Sequence, residues 1–485
     1  MDVSFPHVCE ERLWALSSPS VEAGVSILCE KASESTSHLR IGDCIRMNMG
    51  LRTNIRLLPL CLSIAFGSWA QVSSPTGQAN SKPQNPAASP STRAPKLEPS
   101  QKTAAQVQPE EPPVPVKTEV GTLEGGSYRI DIPENWNHNL VVYYHGYEAK
   151  AHIYQQEHPS GRILQKILNR GYAVVQSGYA VGGWAIPQAA KETAAVRSYF
   201  YKKYGMPKET YVMGHSMGGL LTVLTLEQSP DDYKGGLALC GVLAPADSVM
   251  QRAFANRAAF DAFFPGILPD VEHIPDTFSM GDVATVGTIE KALNAKPAEA
   301  ALIRSLADIH TNHGLAEVLV FNTFVIKDLR LKSGGNPFDN RNLIYTGTTD
   351  DETLNNKVKR YTADANAFRF LSTYYSPTGQ LKRKLLAVHT LYDPLVPAAT
   401  AAYYDELTHR LGNSDLFVQQ YVNRDGHCNI TADQTGQAFD ELIAWVHDNK
   451  RPQPGPLPGS QAPAQNTPNP PLERPTPPKN VGKPQ

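Results

Sequence analysis

The 485-residue sequence is short of several things, and each shortage excludes something. It lacks a charge of one sign: 45 Lys and Arg stand against 47 Asp and Glu, so neither a nucleic-acid groove nor a polybasic membrane patch is indicated. No apolar run is long enough to span a bilayer as a helix, so no transmembrane anchor is expected. Cysteine is scarce, at six residues, and Cys9, Cys29, Cys44 and Cys61 all lie before residue 70. Aromatic residues are missing altogether from 71–117 and 451–485, which instead hold 10 and 12 of the 39 prolines. Chain of that composition cannot bury enough apolar surface to offset its entropy. The two stretches read as a disordered linker and a disordered tail.

The N-terminal part shows a change of text. Residues 1–46 have no helical or strand period and read as an extension from an upstream start codon, a genuine extension being the alternative. From Met47 or Met49, Arg52 and Arg56 precede an apolar run from Leu57 to Phe66, and Gly67-Ser68-Trp69-Ala70 follows. That is a basic region, a short apolar region and a small-residue cleavage site, so 47–70 is expected to be a signal peptide cut after Ala70. Leu60 before Cys61 does not fit a lipoprotein signal. The expected location is secreted or periplasmic. The mature chain keeps Cys240 and Cys428, an even number suited to an oxidising compartment.

The foldable part is then 118–450. Val120–Leu123 and Tyr128–Ile132 read as strands joined at Gly125-Gly126. Leu140–Tyr144 is continuously apolar, as a buried central strand is. Ile163, Leu164, Ile167 and Leu168 keep helical spacing up to Gly171. Tyr172–Val175 reads as a strand, and Pro187 to Tyr204 as a helix with Gly205 past its end. A strand at Gly236–Cys240 follows the next helix. The alternation lapses after Pro245, where 246–375 is mainly helical in pattern, then resumes with strands at Leu385–Thr390 and Leu416–Val422. Helices are expected from Pro397 to Leu411 and from Asp433 to His447. Alternation of this kind predicts an α/β fold, a mostly parallel sheet with helices on both faces. An insertion that long is no plain loop, and it reads as a helical cap over the strand ends.

The chain is organised around Tyr211-Val212-Met213-Gly214-His215-Ser216-Met217-Gly218-Gly219, which reads as strand, tight turn and helix. Such a turn pushes the Ser216 hydroxyl out at the sheet edge, and Gly214 and Gly218 permit the close approach it demands. The bland alternative is a small-residue connection. Two downstream loops favour the chemical reading: Asp393 follows one strand, in Asp393-Pro394-Leu395-Val396-Pro397, and His427 follows the next, before Cys428. Nucleophile, orienting acid and base in that order suit acyl transfer. Ser216 would attack, His427 would take and return its proton, and Asp393 would hold the imidazole tautomer. The oxyanion needs preorganised donors, expected to be the N–H groups of Met217 and Tyr147.

The elbow, the Asp-x-x-Val-Pro loop and the terminal Gly-His resemble the α/β-hydrolase superfamily over about 118–450. Gly-x-Ser-x-Gly-Gly, ending at Gly219, resembles the prolyl-oligopeptidase-type branch. Gly334-Gly335-Asn336-Pro337-Phe338-Asp339-Asn340 and Tyr375-Ser376-Pro377-Thr378-Gly379 resemble secreted bacterial hydrolases of unsettled substrate. The His427-Cys428 pair is similar to tannases and feruloyl esterases, although those carry Cys directly before the serine, where this chain has His215. The resemblance implies hydrolase chemistry, with a carboxylic ester, small or polymeric, as the expected substrate and no cofactor. It also implies that the end of the strand after the elbow helix lies near the catalytic histidine, so a Cys240–Cys428 disulfide is expected, two free thiols being the alternative. A serine peptidase is the rival within hydrolases, but 71–117 cannot supply the propeller many such peptidases carry; a catalytically idle binding protein is the rival outside them.

His145, His152 and His158 share no helix face and have no clustered carboxylate beside them, so they read as loop residues and no metal is expected. His310 and His313 read as helix surface. Phe254, Phe260, Phe263 and Phe264 either wall a substrate pocket or form the core of the cap.

Overall fold

Period-two burial against period-3.6 burial lays out this chain. The computed structural model describes residues 112–459, apart from residue 375. The expected extension, the signal peptide, the linker up to residue 111 and the tail beyond residue 459 lie outside the described residues. The chain begins with a hairpin, β1 (Val116–Leu123) and β2 (Gly126–Pro133), antiparallel in register from Val116↔Pro133 to Leu123↔Gly126. Glu124 and Gly125 turn it with φ of 52° and 87°, the left-handed pair that suits the twist of a two-residue hairpin.

Then strands and helices alternate: β3 (Leu140–Tyr144), α1 (Arg162–Asn169), β4 (Ala173–Ser177), α2 (Ile186–Tyr204), β5 (Thr210–His215), α3 (Met217–Gln228) and β6 (Gly235–Leu239). Six helices follow without a strand between them: α4 (Ala246–Phe263), α5 (Val283–Ala295), α6 (Pro297–Ala307), α7 (Asn312–Ser333), α8 (Asp351–Lys357) and α9 (Ala365–Tyr374). The rhythm resumes with β7 (Lys384–Tyr392), α10 (Ala399–Arg410), β8 (Phe417–Asp425), α11 (Ala432–Asp448) and β9 (Gly455–Pro456).

The strands form one sheet in the order β1-β2-β4-β3-β5-β6-β7-β8-β9. It is parallel from β4 to β9, with β1 and β2 antiparallel at one edge. Alternate residues of a strand point to opposite faces. Leu140, Val142 and Tyr144 of β3 accordingly join a core with residues of α2, α3 and α10, whereas Val141 and Tyr143 join a second core with α1 and α11. All five β3 residues are buried, as a central strand covered on both faces must be. The first core continues into the cap.

All four cap phenylalanines are buried in it. Phe254 stacks on Phe338 with ring centroids 4.8 Å apart, and Phe260 on Phe264 at 4.9 Å. None of the four lines the cleft beside Ser216, so of the two readings of these residues the structure supports the cap's own core. The reason is their spacing. Phe260, Phe263 and Phe264 recur at i, i+3 and i+4 and so lie on the face of α4 turned inward.

The folded chain also runs further than its composition suggests. Leu457 is fully buried and its N–H donates to the Tyr421 carbonyl at 2.8 Å, while Arg451 donates to the Ser414 and Phe417 carbonyls. Residues 451–459 thus add a two-residue edge strand, Gly455–Pro456, an edge being where a proline is tolerated in a sheet. Val114 and Val116 pack on the second core at the other end. Among the described residues no helix is long and apolar enough to cross a membrane.

Candidate active site

The strand ends of β5, β7 and β8 bring Ser216, Asp393 and His427 together. Ser216 sits between β5 and α3 at φ 56° and ψ −121°, a left-handed position disfavoured for any residue with a Cβ. Three glycines make room for it. A Cβ on Gly214 would lie 2.7 Å from the Tyr144 carbonyl oxygen, one on Gly218 would collide with that same oxygen, and one on Gly219 would lie 2.6 Å from the Gly241 Cα. Strain held by such contacts is paid for by the surrounding sheet.

Asp393 follows β7 and is buried. Its Oδ1 accepts from the N–H groups of Leu395, at 2.9 Å, and Val396, at 2.8 Å, which orient the carboxylate. Its Oδ2 lies 2.7 Å from His427 Nδ1. A carboxylate only accepts, so Nδ1 carries the proton and Nε2 is left to accept from the Ser216 hydroxyl, 2.8 Å away. Burial pushes the Asp393 carboxyl up, but the bond and charge of His427 and the Val396 N–H outweigh it and hold the carboxyl below its ordinary range. The result is an unbroken hydrogen-bonded chain from Ser216 to Asp393.

Two features of this neighbourhood lie beyond the reach of the sequence reading. His389, buried within β7, donates from Nε2 to the Val396 carbonyl at 2.8 Å, and the same nitrogen is 3.6 Å from Asp393 Oδ2. It fills the space beneath the acid; nothing in its sequence context separates it from any other strand residue. His215, beside the serine, has its Nδ1 2.5 Å from the Tyr143 hydroxyl. Burial lowers its pKa to about 4, with His145 and His427 adding to the effect.

Cys240, just past β6, is joined to Cys428 by a disulfide across 188 residues of sequence, with Cα atoms 5.2 Å apart. The bond ties the residue after His427 to the end of the neighbouring strand. Closing so long a loop is worth about 5 kcal/mol in the chain-entropy account.

Tyr147 and Met217 meet at the serine. Met217 opens α3, so its N–H has no acceptor one turn back. The loop after β3 runs against the elbow: a Cβ on Gly146 would lie 3.3 Å from the Ser216 Cβ and 3.2 Å from His215 Nε2. Tyr147 comes next and lines the same cleft as Ser216. That cleft encloses about 680 Å³, including the part open to solvent. Its floor is the sheet edge with Val242 and the Pro394–Pro397 loop, and its roof is α4 and α7 of the cap. Asp328 of α7 fastens roof to floor, its Oδ2 accepting from the Trp184 N–H at 2.7 Å and the Tyr147 hydroxyl at 3.3 Å.

His145 and His152 lie in the loop after β3, 6.0 Å apart between ring centroids, and His158 lies further along that loop. Among the described residues no three His, Cys, Asp or Glu side chains are grouped to hold a metal. His310 is not on a helix face as expected; it precedes α7 and stacks on Tyr392 at 3.8 Å, because Thr311 caps the helix and starts it at Asn312. His313, in the first turn of α7, pairs with Glu290.

Sheet order, serine elbow and inserted helical cap are those of the α/β-hydrolase fold. Residues 109–253, less than a third of the chain, match the model of a tannase-like family of unknown function (DUF6351). No curated protein matches the sequence. Among solved structures the chain is similar to an esterase of Pyrococcus furiosus, at 14% identity over 68% of this chain and 91% of that one, with a TM-score of 0.37. It is similar to an esterase from Aspergillus oryzae, at 13% identity over 70% of this chain and 81% of that one, TM-score 0.39. A third similar structure is the acylaminoacyl peptidase of Pyrococcus horikoshii, at 12% identity over 69% of this chain, TM-score 0.38; the match spans only 42% of the peptidase.

Proposed function

We propose that the protein is a secreted serine hydrolase that cleaves carboxylic esters through an acyl-enzyme intermediate. The observation that carries this reading is the hydrogen-bonded run Ser216–His427–Asp393, opening into an apolar cleft. Ser216 Oγ attacks the ester carbonyl as His427 Nε2 takes its proton. Asp393 steadies the imidazolium that forms. The tetrahedral oxyanion is held by the N–H groups of Met217 and Tyr147, each such donor being worth about 3 kcal/mol. His427 then protonates the leaving alcohol, and water repeats the sequence on the acyl-enzyme to release the acid. The apolar walls suit an ester better than an extended peptide, whose backbone would need matching donors and acceptors.

Secretion rests on the sequence: the basic and apolar segments of 47–70, with cleavage after Ala70, and a cysteine pair suited to an oxidising compartment. Labelling with a fluorophosphonate tests the chemistry. The protein is expected to be labelled at Ser216 and to hydrolyse p-nitrophenyl acyl esters in preference to peptide anilides. Absence of labelling on the folded protein would return it to the class of binding proteins that keep this fold.

A further inference from the structure

The roof of the cleft has polar groups that the chemistry at Ser216 does not use. Arg252, Ala253 and Asn256 of α4 line the cleft together, as residues spaced three and four apart do, and Asn322 of α7 lines it beside them. The rest of the lining is mostly apolar.

Arg252 is half-buried, and one of its N–H groups donates to the Ala307 carbonyl at 2.9 Å, at the C-terminus of α6. Among the described residues it makes no ion pair; Asp308 acts on its charge without forming a salt bridge. Burial lowers its pKa, and the charge of Asp308 offsets this only in part. The two buried guanidinium groups of the described residues are paired, Arg129 with Asp131 at 2.7 Å and Arg257, one turn along α4 from Ala253, with Asp261. Asn256 is buried, yet its side-chain amide makes no hydrogen bond within the described residues. Asn322 is buried too and, among the described residues, donates a long 3.4 Å bond to the Ala253 carbonyl while its Oδ1 accepts none. A half-buried cation and two under-used amides, gathered in an otherwise apolar cleft, are groups that a polar ligand can complete.

We infer that the cleft is built for esters that carry a carboxylate, with Arg252 as the group that receives it and the Asn256 and Asn322 amides beside it. The inference rests on the ester-hydrolase reading and adds the substrate class. A guanidinium presents a planar fork that matches a carboxylate, and Val249, Met250 and Phe321 give the pair apolar surroundings. The carboxylate can belong to the acyl part, as in the half-ester of a dicarboxylic acid, or to the alcohol part, as in the ester of a hydroxybenzoate.

Two arms of one experiment separate these. In the acyl arm, 4-nitrophenyl half-esters of succinate, glutarate and adipate are compared with the same compounds methylated at the free carboxylate. In the alcohol arm, acetyl esters of 3- and 4-hydroxybenzoate are compared with their methyl benzoates. One arm is expected to show kcat/KM higher for the anion by about 10- to 100-fold, mostly through KM, with the preference shrinking as salt is raised. In Arg252→Gln, which keeps a donor for the Ala307 carbonyl, that ratio is expected to fall towards one, and in Arg252→Lys to fall part of the way. Equal or lower kcat/KM for the anion in both arms of the wild-type protein overturns the inference without use of any variant, and so does a preference that Arg252→Gln leaves intact. A protein labelled at Ser216 that turns over neutral esters best retains the hydrolase reading and loses only this one. A protein neither labelled nor active on any ester loses both.

Discussion

The elbow and the cap face one cleft, yet they place their side chains by different means. At the elbow the backbone does the placing. Ser216 is held at φ 56° by glycine contacts with Tyr144 and Gly241, and Asp393 by two backbone N–H groups. Main chain thus fixes the serine and the acid, and the side-chain bonds of His427 join them. In the cap the helices are held by side-chain packing, from behind by the Phe254–Phe338 and Phe260–Phe264 stacks and towards the cleft by Met250, Val318 and Val325. On the proposed function, chemistry sits where main chain does the placing, and substrate selection where side-chain packing does. Each region can be broken alone.

The largest effect is expected at the elbow. Ser216→Ala should lower kcat by about three decades or more at an unchanged melting temperature, because nucleophile, base and acid act as a unit. Single-turnover ester assays beside thermal melts check it; activity above about a tenth of wild type removes Ser216 from the mechanism. In the cap the contrast should be between stability and selectivity. Phe260→Ala removes a fully buried ring and should cost about 3–5 kcal/mol in denaturant unfolding. Phe321→Ala, at the cleft, should cost less than that and reorder the preferred esters. If Phe321→Ala proves the more destabilising, the division of labour within the cap is wrong.

How far the sequence carried this differs between the same two regions. The sheet was legible because its signals are local. Leu140–Tyr144 is apolar throughout, Gly205 ends α2, and Gly214, Ser216 and Gly218 stand at the spacing that an elbow imposes. Asp393 and His427 stand out in the sequence because each follows a strand directly, and the structure brings them within hydrogen-bonding distance of each other and of Ser216. The cap was legible as helix but not as surface. Which face of α4 turns inward depends on α7 and α9, which contact it from far along the chain, so four clustered phenylalanines read equally as pocket or core. Arg252 and Asn256 did carry a signal, four residues apart on an otherwise apolar stripe with Val249 and Ala253, but that pattern looks the same on a solvated helix. The strand at Gly455–Pro456 was hidden for another reason: averaging composition over the proline-rich tail concealed Arg451 and Leu457, which anchor it.

A smaller effect tests whether the floor of the site resists change through charge as well as through backbone. His215 is neutral in the fold well below the usual histidine range, with a pKa of about 4 against 6.5 for a free side chain. Above 6.5 both folded and unfolded chains leave it neutral. Between 6.5 and about 4 the unfolded chain takes up a proton that the folded chain refuses, so stability should fall as pH falls through that window. Allowing for the partial exposure of the residue, the loss should reach about 2 kcal/mol. Urea titrations at pH 7 and 4.5 measure it. His215→Gln should flatten the dependence by that amount, and an unchanged slope would mean that the fold lets the imidazole take up its proton as readily as the unfolded chain does.

The smallest effect is expected where the two regions are fastened together. Asp328 of α7 accepts from the Trp184 N–H and the Tyr147 hydroxyl on the floor and pairs with Lys332, which also donates to the Gly182 carbonyl. Asp328→Asn keeps an oxygen for the Trp184 N–H and loses the ion pair, so it should weaken the docking of the cap by about 1 kcal/mol or less. Global melting should barely move, because the buried aromatic stacks of the cap remain. Faster amide exchange at Gly182–Trp184 should report the loosening, with a rise of a few-fold in KM and little change in kcat. The split between the two constants is what decides the matter. If cap and floor do separate jobs, loosening their joint alters how an ester is held and leaves the attack by Ser216 alone. If instead kcat falls at constant KM, Asp328 acts on the reaction through Tyr147, whose N–H is assigned to the oxyanion, and positioning for chemistry extends into the cap. That outcome would redraw the boundary between the two regions.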